Sequence, residues 1–112
     1  LTEKNSGDSY VKIISALSNP QRLRILTVIN KGQIYVSELA RELQISRPLL
    51  YMHLQKLEAA GLITGHHEVS EDGKALRYYR VNDFLEEISL ERIVEAVKTL
   101  TIKEEIDKDS KG

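Results

Sequence analysis

Residues 45–81, ISRPLLYMHLQKLEAAGLITGHHEVSEDGKALRYYRV, decide how this chain folds. Ser46 is placed to cap a helix, Leu50, Leu54 and Leu57 recur at helical spacing, and Gly61 suits the left-handed residue that ends it. Residues 62–69 and 75–81 then read as strands, joined by SEDGK with Gly73 where a positive φ is easiest. At about 100° per residue, Leu54 and Leu57 fall within ~40° of Leu50 and form one core-facing stripe. Pro48, Tyr51, Met52, Gln55 and Lys56 point the other way, with Leu49 at the edge. An isolated helix with that much Tyr, Met and Leu on its outer side has a surface suited to meeting something.

Working outward, SNP at 18–20 stops one helix and starts another, because Asn19 can cap and Pro20 fits a first helical turn. The earlier helix starts at about Asp8, with Tyr10, Val11, Ile13, Ile14 and Leu17 apolar. The later one, about 20–30, has apolar residues on so many sides that other helices must surround it. QIYV at 33–36 reads as a short extended segment, and Ser37 as the cap of a helix over 38–44 facing inward with Leu39, Ala40 and Leu43. A turn at Gln44-Ile45 leads to the helix of about 47–60. NDFLEEISLERIVEAVKTL, residues 82–100, reads as a last helix opened by an Asp83–Glu86 capping box, with a break at Ser89. Residues 1–7 and 103–112 are polar and aperiodic and read as mobile ends around one domain over 8–102.

Composition narrows the function classes. The 112 residues contain no cysteine, which excludes disulfides, thiolate metal sites and cysteine nucleophiles among them. No apolar run approaches the ~20 residues of a membrane span, and no charged-then-apolar leader opens the chain, so a soluble cytoplasmic protein is expected. The net charge of −1 hides a gradient. Residues 20–80 hold nine Lys/Arg against six Asp/Glu, whereas residues 81–112 hold five against nine. A basic middle is compatible with a surface that faces phosphate. No nucleophile–base pairing, glycine-rich phosphate loop or paired carboxylates point to an enzyme or a cofactor.

Two short capped helices, a tight turn and a strand hairpin form the winged helix-turn-helix layout, a mainly α fold with a small antiparallel β-hairpin. A helix has the right width for the DNA major groove, where apolar side chains meet thymine methyls and Gln or Lys reach base edges. The segments ALSNPQRLRILTVINKG, VSELARELQISRPLLYMHLQKLEAAGLI and GKALRYYRV also resemble the ArsR/SmtB family of winged-helix repressors, over roughly residues 13–85. The resemblance implies a homodimer joined through the first and last helices and bound to a pseudo-palindromic operator. It places Ser46, Arg47, Leu49, Tyr51, Met52, His53, Gln55 and Lys56 on the recognition helix; the wheel adds Pro48. Family members that sense soft metals carry a Cys-x-Cys pair where this chain reads VSELARE, and the zinc-sensing last helix uses histidines that residues 83–102 lack. Neither metal route carries over.

Each residue also has a plainer reading. The Tyr51–Met52 face could dock a protein, making the domain a protein-interaction module instead. His53 sits at the margin of the core stripe, as a half-buried histidine or a phosphate contact. Lys74 and Arg77 lie near the hairpin tip and reach flanking phosphates if residues 69–77 form a wing, although Glu71 and Asp72 argue against deep insertion. Arg22 stands in a first helical turn, where the macrodipole disfavours a cation, so an acidic residue of the fold or a DNA phosphate should compensate. His66, His67 and Glu68 alternate across a strand and cannot easily share one ion. Of Tyr78 and Tyr79, one should be core and the other exposed. Tyr10, Ile13, Ile14, Leu17, Phe84, Leu85, Ile88, Ile93, Val94, Val97 and Leu100 form terminal apolar stripes that either build a two-fold interface or wrap their own subunit. The expected partners are double-stranded DNA and a second copy of the chain, with no membrane; no small-molecule effector is legible.

Overall fold

Asn19 begins the central architecture. Its side-chain oxygen accepts from the backbone N–H of Gln21 and Arg22, and Pro20 stands at the next position, which starts a helix over Pro20–Ile29. In the computed structural model, which describes residues 6–102, the element order is α1 (Gly7–Leu17), α2 (Pro20–Ile29), β1 (Ile34–Tyr35), α3 (Val36–Leu43), α4 (Arg47–Ala59), β2 (Ile63–Val69), β3 (Ala75–Val81) and α5 (Leu90–Val97). The described chain divides into two compact units, one spanning Val11–Glu86 and the other formed by the segments before Val11 and after Glu86. No helix among the described residues is long and apolar enough to cross a membrane.

Within the Val11–Glu86 unit, α3 and α4 form the helix-turn-helix. Gln44 closes α3 in the left-handed conformation at φ 58°, and Ser46 opens α4 by accepting from the Leu49 N–H at 3.3 Å. Gly61, at φ 79°, turns the chain out of α4, with the Leu62 N–H returning to the Leu57 carbonyl in a Schellman closure. β2 and β3 then pair antiparallel around the Gly73 turn. The core lies beneath this sheet: Ile25 and Ile29 of α2, Leu39 and Leu43 of α3, Leu50, Leu54 and Leu57 of α4, and Leu62, Ile63 and Tyr79 of the hairpin are all buried. This is the winged helix-turn-helix expected from the sequence, with the apolar stripe of α4 packed inward.

Three expectations need correction. The sheet has three strands in the order β1-β3-β2, because Tyr35 pairs with Tyr78 and Ile34 with Tyr79. That pairing already holds Tyr35 in the extended conformation an N-cap needs, so α3 begins at Val36 and Ser37 lies inside its first turn rather than capping it. The helix expected over residues 82–100 is reduced to Leu90–Val97, and the Asp83–Glu86 capping box starts nothing. Asn82 explains part of this. Its N–H donates to the Leu62 carbonyl and its side-chain amide to the Gly61 carbonyl, which commits it to closing the hairpin onto the end of α4. Helix formation waits for Ser89, whose hydroxyl accepts from the Arg92 N–H. The expected mobile ends fall almost wholly outside the described residues, apart from Ser6, whose hydroxyl accepts from the Ser9 N–H, and Gly7, which already begins α1.

In the smaller unit, the start of α1 and α5 are held together. A Cβ at Gly7 would stand 2.0 Å from the Ala96 carbonyl oxygen, so only glycine permits this approach. The Gly7 N–H donates to the Thr99 hydroxyl at 2.6 Å and the Thr101 N–H to the Asp8 carboxylate at 2.8 Å.

Candidate nucleic-acid interface

The outer side of α4 is open. Ser46, Arg47, Pro48, Leu49, Gln55 and Lys56 are exposed, and Tyr51 and Met52 are 43% and 44% exposed while Leu50, Leu54 and Leu57 beside them are sealed. Helical spacing alone separates the two sets, as the wheel requires. The face presents apolar contact area at Leu49, Tyr51 and Met52, an amide at Gln55 and cations at Arg47 and Lys56.

His53 is not part of it. Only 4% of this residue is exposed, and its Nδ1 accepts a 3.2 Å hydrogen bond from Nε of Arg22. The placement as a phosphate contact is therefore corrected: α2 covers the flank of α4 that His53 occupies. Burial, and secondarily the adjacent guanidinium, hold the His53 pKa below its usual value. Arg22 is corrected as well. It is 8% exposed and its Nη1 donates to the Ser15 and Ala16 carbonyls, each at 3.2 Å. The last-turn carbonyls of α1 carry the partial negative charge that offsets a cation at the start of α2, so neither a carboxylate nor DNA is needed.

The wing is tied to α4 through Arg77. Its Nε donates to the Tyr79 hydroxyl at 3.0 Å, its Nη2 reaches the Glu58 carboxylate at 3.4 Å, and its guanidinium lies 5.3 Å from the Tyr79 ring centroid. Gly65 makes the room, since a Cβ there would meet Nη2 of Arg77 at 2.6 Å and the Tyr79 ring at 2.8 Å. Nothing in the sequence marks Gly65 for this; only the register that sets it opposite Tyr79 does. Lys74 is exposed at the hairpin tip, beside the exposed Glu71 and Asp72. The Ser70 hydroxyl donates to Asp72, which lowers that carboxylate's pKa.

His66 and His67 do point to opposite faces. His66 meets Glu68 at 2.9 Å, while His67 Nδ1 lies 3.3 Å from Nη1 of Arg77. Hydrogen bonds from His66 and then Gln33 lower the Glu68 pKa. No group of three or more metal-ligating side chains converges among the described residues. Tyr79 is the core tyrosine, and the half-buried Tyr78 stacks on His66 and meets Tyr35 edge-on.

The terminal residues divide. Tyr10 is buried in its own chain, its hydroxyl donating to the Glu87 carbonyl at 2.8 Å and its ring lying 4.1 Å beneath the Arg92 guanidinium, so it presents no surface for a second copy. Ile13, Ile14 and Leu17 are half-buried, Ile13 and Leu17 against the core. Phe84, Leu85 and Ile88 are exposed but lie on irregular chain rather than a helical stripe, Leu85 at 96%. Ile93, Val94 and Val97 of α5 are exposed and Leu100 is half-buried.

Residues 19–64 match the model of the arsR family of bacterial regulatory proteins, covering α2 through the start of β2. The chain is 46% identical over 74 residues to an HTH-type transcriptional regulator of Methanocaldococcus jannaschii, an alignment covering 66% of this chain and 77% of that one. It is 30% identical over 89 residues to the HTH-type transcriptional repressor SmtB of Mycobacterium tuberculosis, covering 80% of this chain and 63% of the repressor's length. The homodimeric winged helix-turn-helix DNA-binding domain of a possible ArsR-family regulator from Mycobacterium bovis superposes with a TM-score of 0.59 at 27% identity, covering 66% of this chain and 64% of that one.

Proposed function

The chain belongs to the ArsR family of winged-helix transcriptional regulators, DNA-binding proteins rather than enzymes, and from that premise we propose that it is a homodimeric repressor of a pseudo-palindromic operator. Each subunit would lay α4 in a major groove, with Leu49, Tyr51, Met52 and Gln55 against base edges and Ser46, Arg47, Pro48 and Lys56 along the backbone. Lys74 at the wing tip would meet flanking phosphate. Arg77, held by Tyr79 and Glu58, would chiefly fix the angle of the wing against α4. The observation that carries this reading is the exposed, mixed apolar and cationic outer side of a helix whose inner side is fully buried. Thymine methyls, base-edge acceptors and phosphates each find a partner there.

The homodimer is supported by the homodimeric neighbour and by the exposed Ile93, Val94 and Val97 of α5. The regulatory domain would extend over residues 8–102. Repression is the sense the SmtB relative's name carries. A bound dimer would act by occupying a promoter and excluding polymerase. Since these residues contain no cysteine, thiolate capture of a soft metal is not the releasing event within them.

Selection of bound fragments from genomic DNA, followed by footprinting, tests the reading. Two protected half-sites centred about 10 base pairs apart, or a multiple of that, are expected for a two-fold dimer. Sedimentation should give twice the chain mass, and Val94→Glu/Val97→Glu should halve it. Absence of any protected sequence, or a single unpaired half-site, overturns the proposal.

A further inference from the structure

Two clefts flank α4, one along each side of its outer face. The first, of about 260 Å³, opens towards the wing and is lined by Tyr35, Ser37, Arg47, Tyr51, His67 and Arg77 among others. The second, of about 230 Å³, lies on the opposite flank between α1 and α4, lined by Lys12, Ser15, Ala16, Lys56 and Ala59. Neither lining includes a carboxylate, and each includes two permanent cations. Arg77 is partly neutralised by Glu58, which leaves Arg47 as the principal cation of the wing-side cleft.

This arrangement has a geometric counterpart in duplex DNA. The major groove is about 12 Å wide, close to the diameter of a helix with its side chains, so a helix seated in it has a sugar-phosphate strand on either flank. The outer face of α4 would read bases, and the two flanks would face the two strands. We propose that each cleft takes phosphates of one strand, Arg47 on the wing side and Lys12 with Lys56 on the α1 side, which makes Lys12 of α1 a DNA contact. The inference rests on the DNA-binding reading and adds to it a residue outside the helix-turn-helix and wing. The uncharged linings fit the same role: the Ser15 hydroxyl at one cleft and the Ser37 hydroxyl at the other are neutral groups able to donate to phosphate oxygens.

Phosphate contacts are sequence-independent, so the test needs no knowledge of the operator. Binding of the full chain to a fluorescein-labelled duplex of mixed sequence is followed by anisotropy as salt rises. Each phosphate contact contributes about 0.9 to the slope of log affinity against log salt. Lys12→Gln should reduce the slope by about that amount per subunit, Lys12→Arg should restore it, and Lys31→Gln, which lines neither cleft, should leave it unchanged. The Lys12→Gln/Arg47→Gln double variant should lose the sum of the two single decrements, because the cations hold different phosphates. Circular dichroism should show every variant folded, since Lys12, Lys31 and Arg47 are exposed.

A wild-type slope in Lys12→Gln overturns the inference while leaving DNA binding intact. A double variant no worse than either single one overturns the assignment of separate phosphate contacts to the two clefts. Loss of slope in Lys12→Arg as well makes the effect structural and also refutes the contact. A wild-type chain that binds duplex without salt dependence removes the DNA reading itself, and the inference with it.

Discussion

Arg22 and His53, 31 residues apart in sequence, meet in the interior, with Nε of Arg22 donating to Nδ1 of His53 at 3.2 Å. The pair links the first turn of α2 to the middle of α4, and through Arg22 to the last carbonyls of α1. A guanidinium has no lone pair to offer and stays charged, so Nδ1 of His53 must be the acceptor and the ring must be neutral. Three helices thus converge on one cation, and the helix with the open face is one of them.

Arg22→Ala should destabilise the fold by about 3 kcal/mol, since it strands the buried Ala16 carbonyl and a buried imidazole nitrogen that a cation had satisfied, together with the part-buried Ser15 carbonyl. Arg22→Lys should recover little, because a single ammonium cannot reproduce the divergent donors of the guanidinium. Urea denaturation of the three proteins measures both effects. Equal stability of Arg22→Ala and wild type would show that the network is idle.

Acid should loosen the same junction. The folded-state pKa of His53 lies below its usual 6.5, so as pH falls beneath that value the unfolded chain takes up a proton that the folded chain resists. The unfolded state then binds more protons, and stability falls with pH from about 6.5 until the folded-state pKa is passed. His53→Gln lacks this term. The stability of wild type relative to His53→Gln should decline through that window in pH-stepped thermal melts, and a constant difference would contradict it.

Gly65→Ala tests the seat of the wing. Its new methyl would press on the Arg77 guanidinium and the buried Tyr79 ring, and the ring has little freedom to move. A loss of about 1–3 kcal/mol is expected from overpacking. Faster amide exchange in β2 and β3 should accompany it as Arg77 leaves Glu58. An unchanged exchange pattern would mean that Arg77 does not anchor the hairpin.

The two sides of α4 should respond oppositely to truncation. Leu54→Ala should cost about 2–5 kcal/mol of stability, because it opens a cavity in a sealed core. Tyr51→Ala and Met52→Ala should change stability by no more than about 0.5 kcal/mol, yet weaken binding to a selected operator about tenfold or more each. Stability is read by denaturation and affinity by anisotropy. Undiminished operator affinity in both surface variants would remove the reading role from this face.

Much of this was legible locally. Asn19, Ser46, Gly61 and Gly73 each act within a few residues of where they stand, so the caps and turns they specify follow from residue type alone. The leucine period of α4 likewise divides a buried side from an open one without reference to any other element. The candidate face could be listed for the same reason, His53 excepted. That residue sits on the boundary of the stripe, and its fate depended on whether α2 would cover it. Lys12 carried no signal, being one exposed lysine on a helix whose only visible feature was apolar.

The chain by itself determined its helix-turn-helix, its hairpin and the outward side of α4, because those depend on capping, period and turn chemistry acting over short separations. Tertiary structure decided the partner of Arg22, the burial of His53, the third strand, the opening in the sheet at Gly65 and the late start of α5. Each of these turns on which group arrives from elsewhere to accept a hydrogen bond or exclude water. A local pattern of residue types holds no record of that arrival.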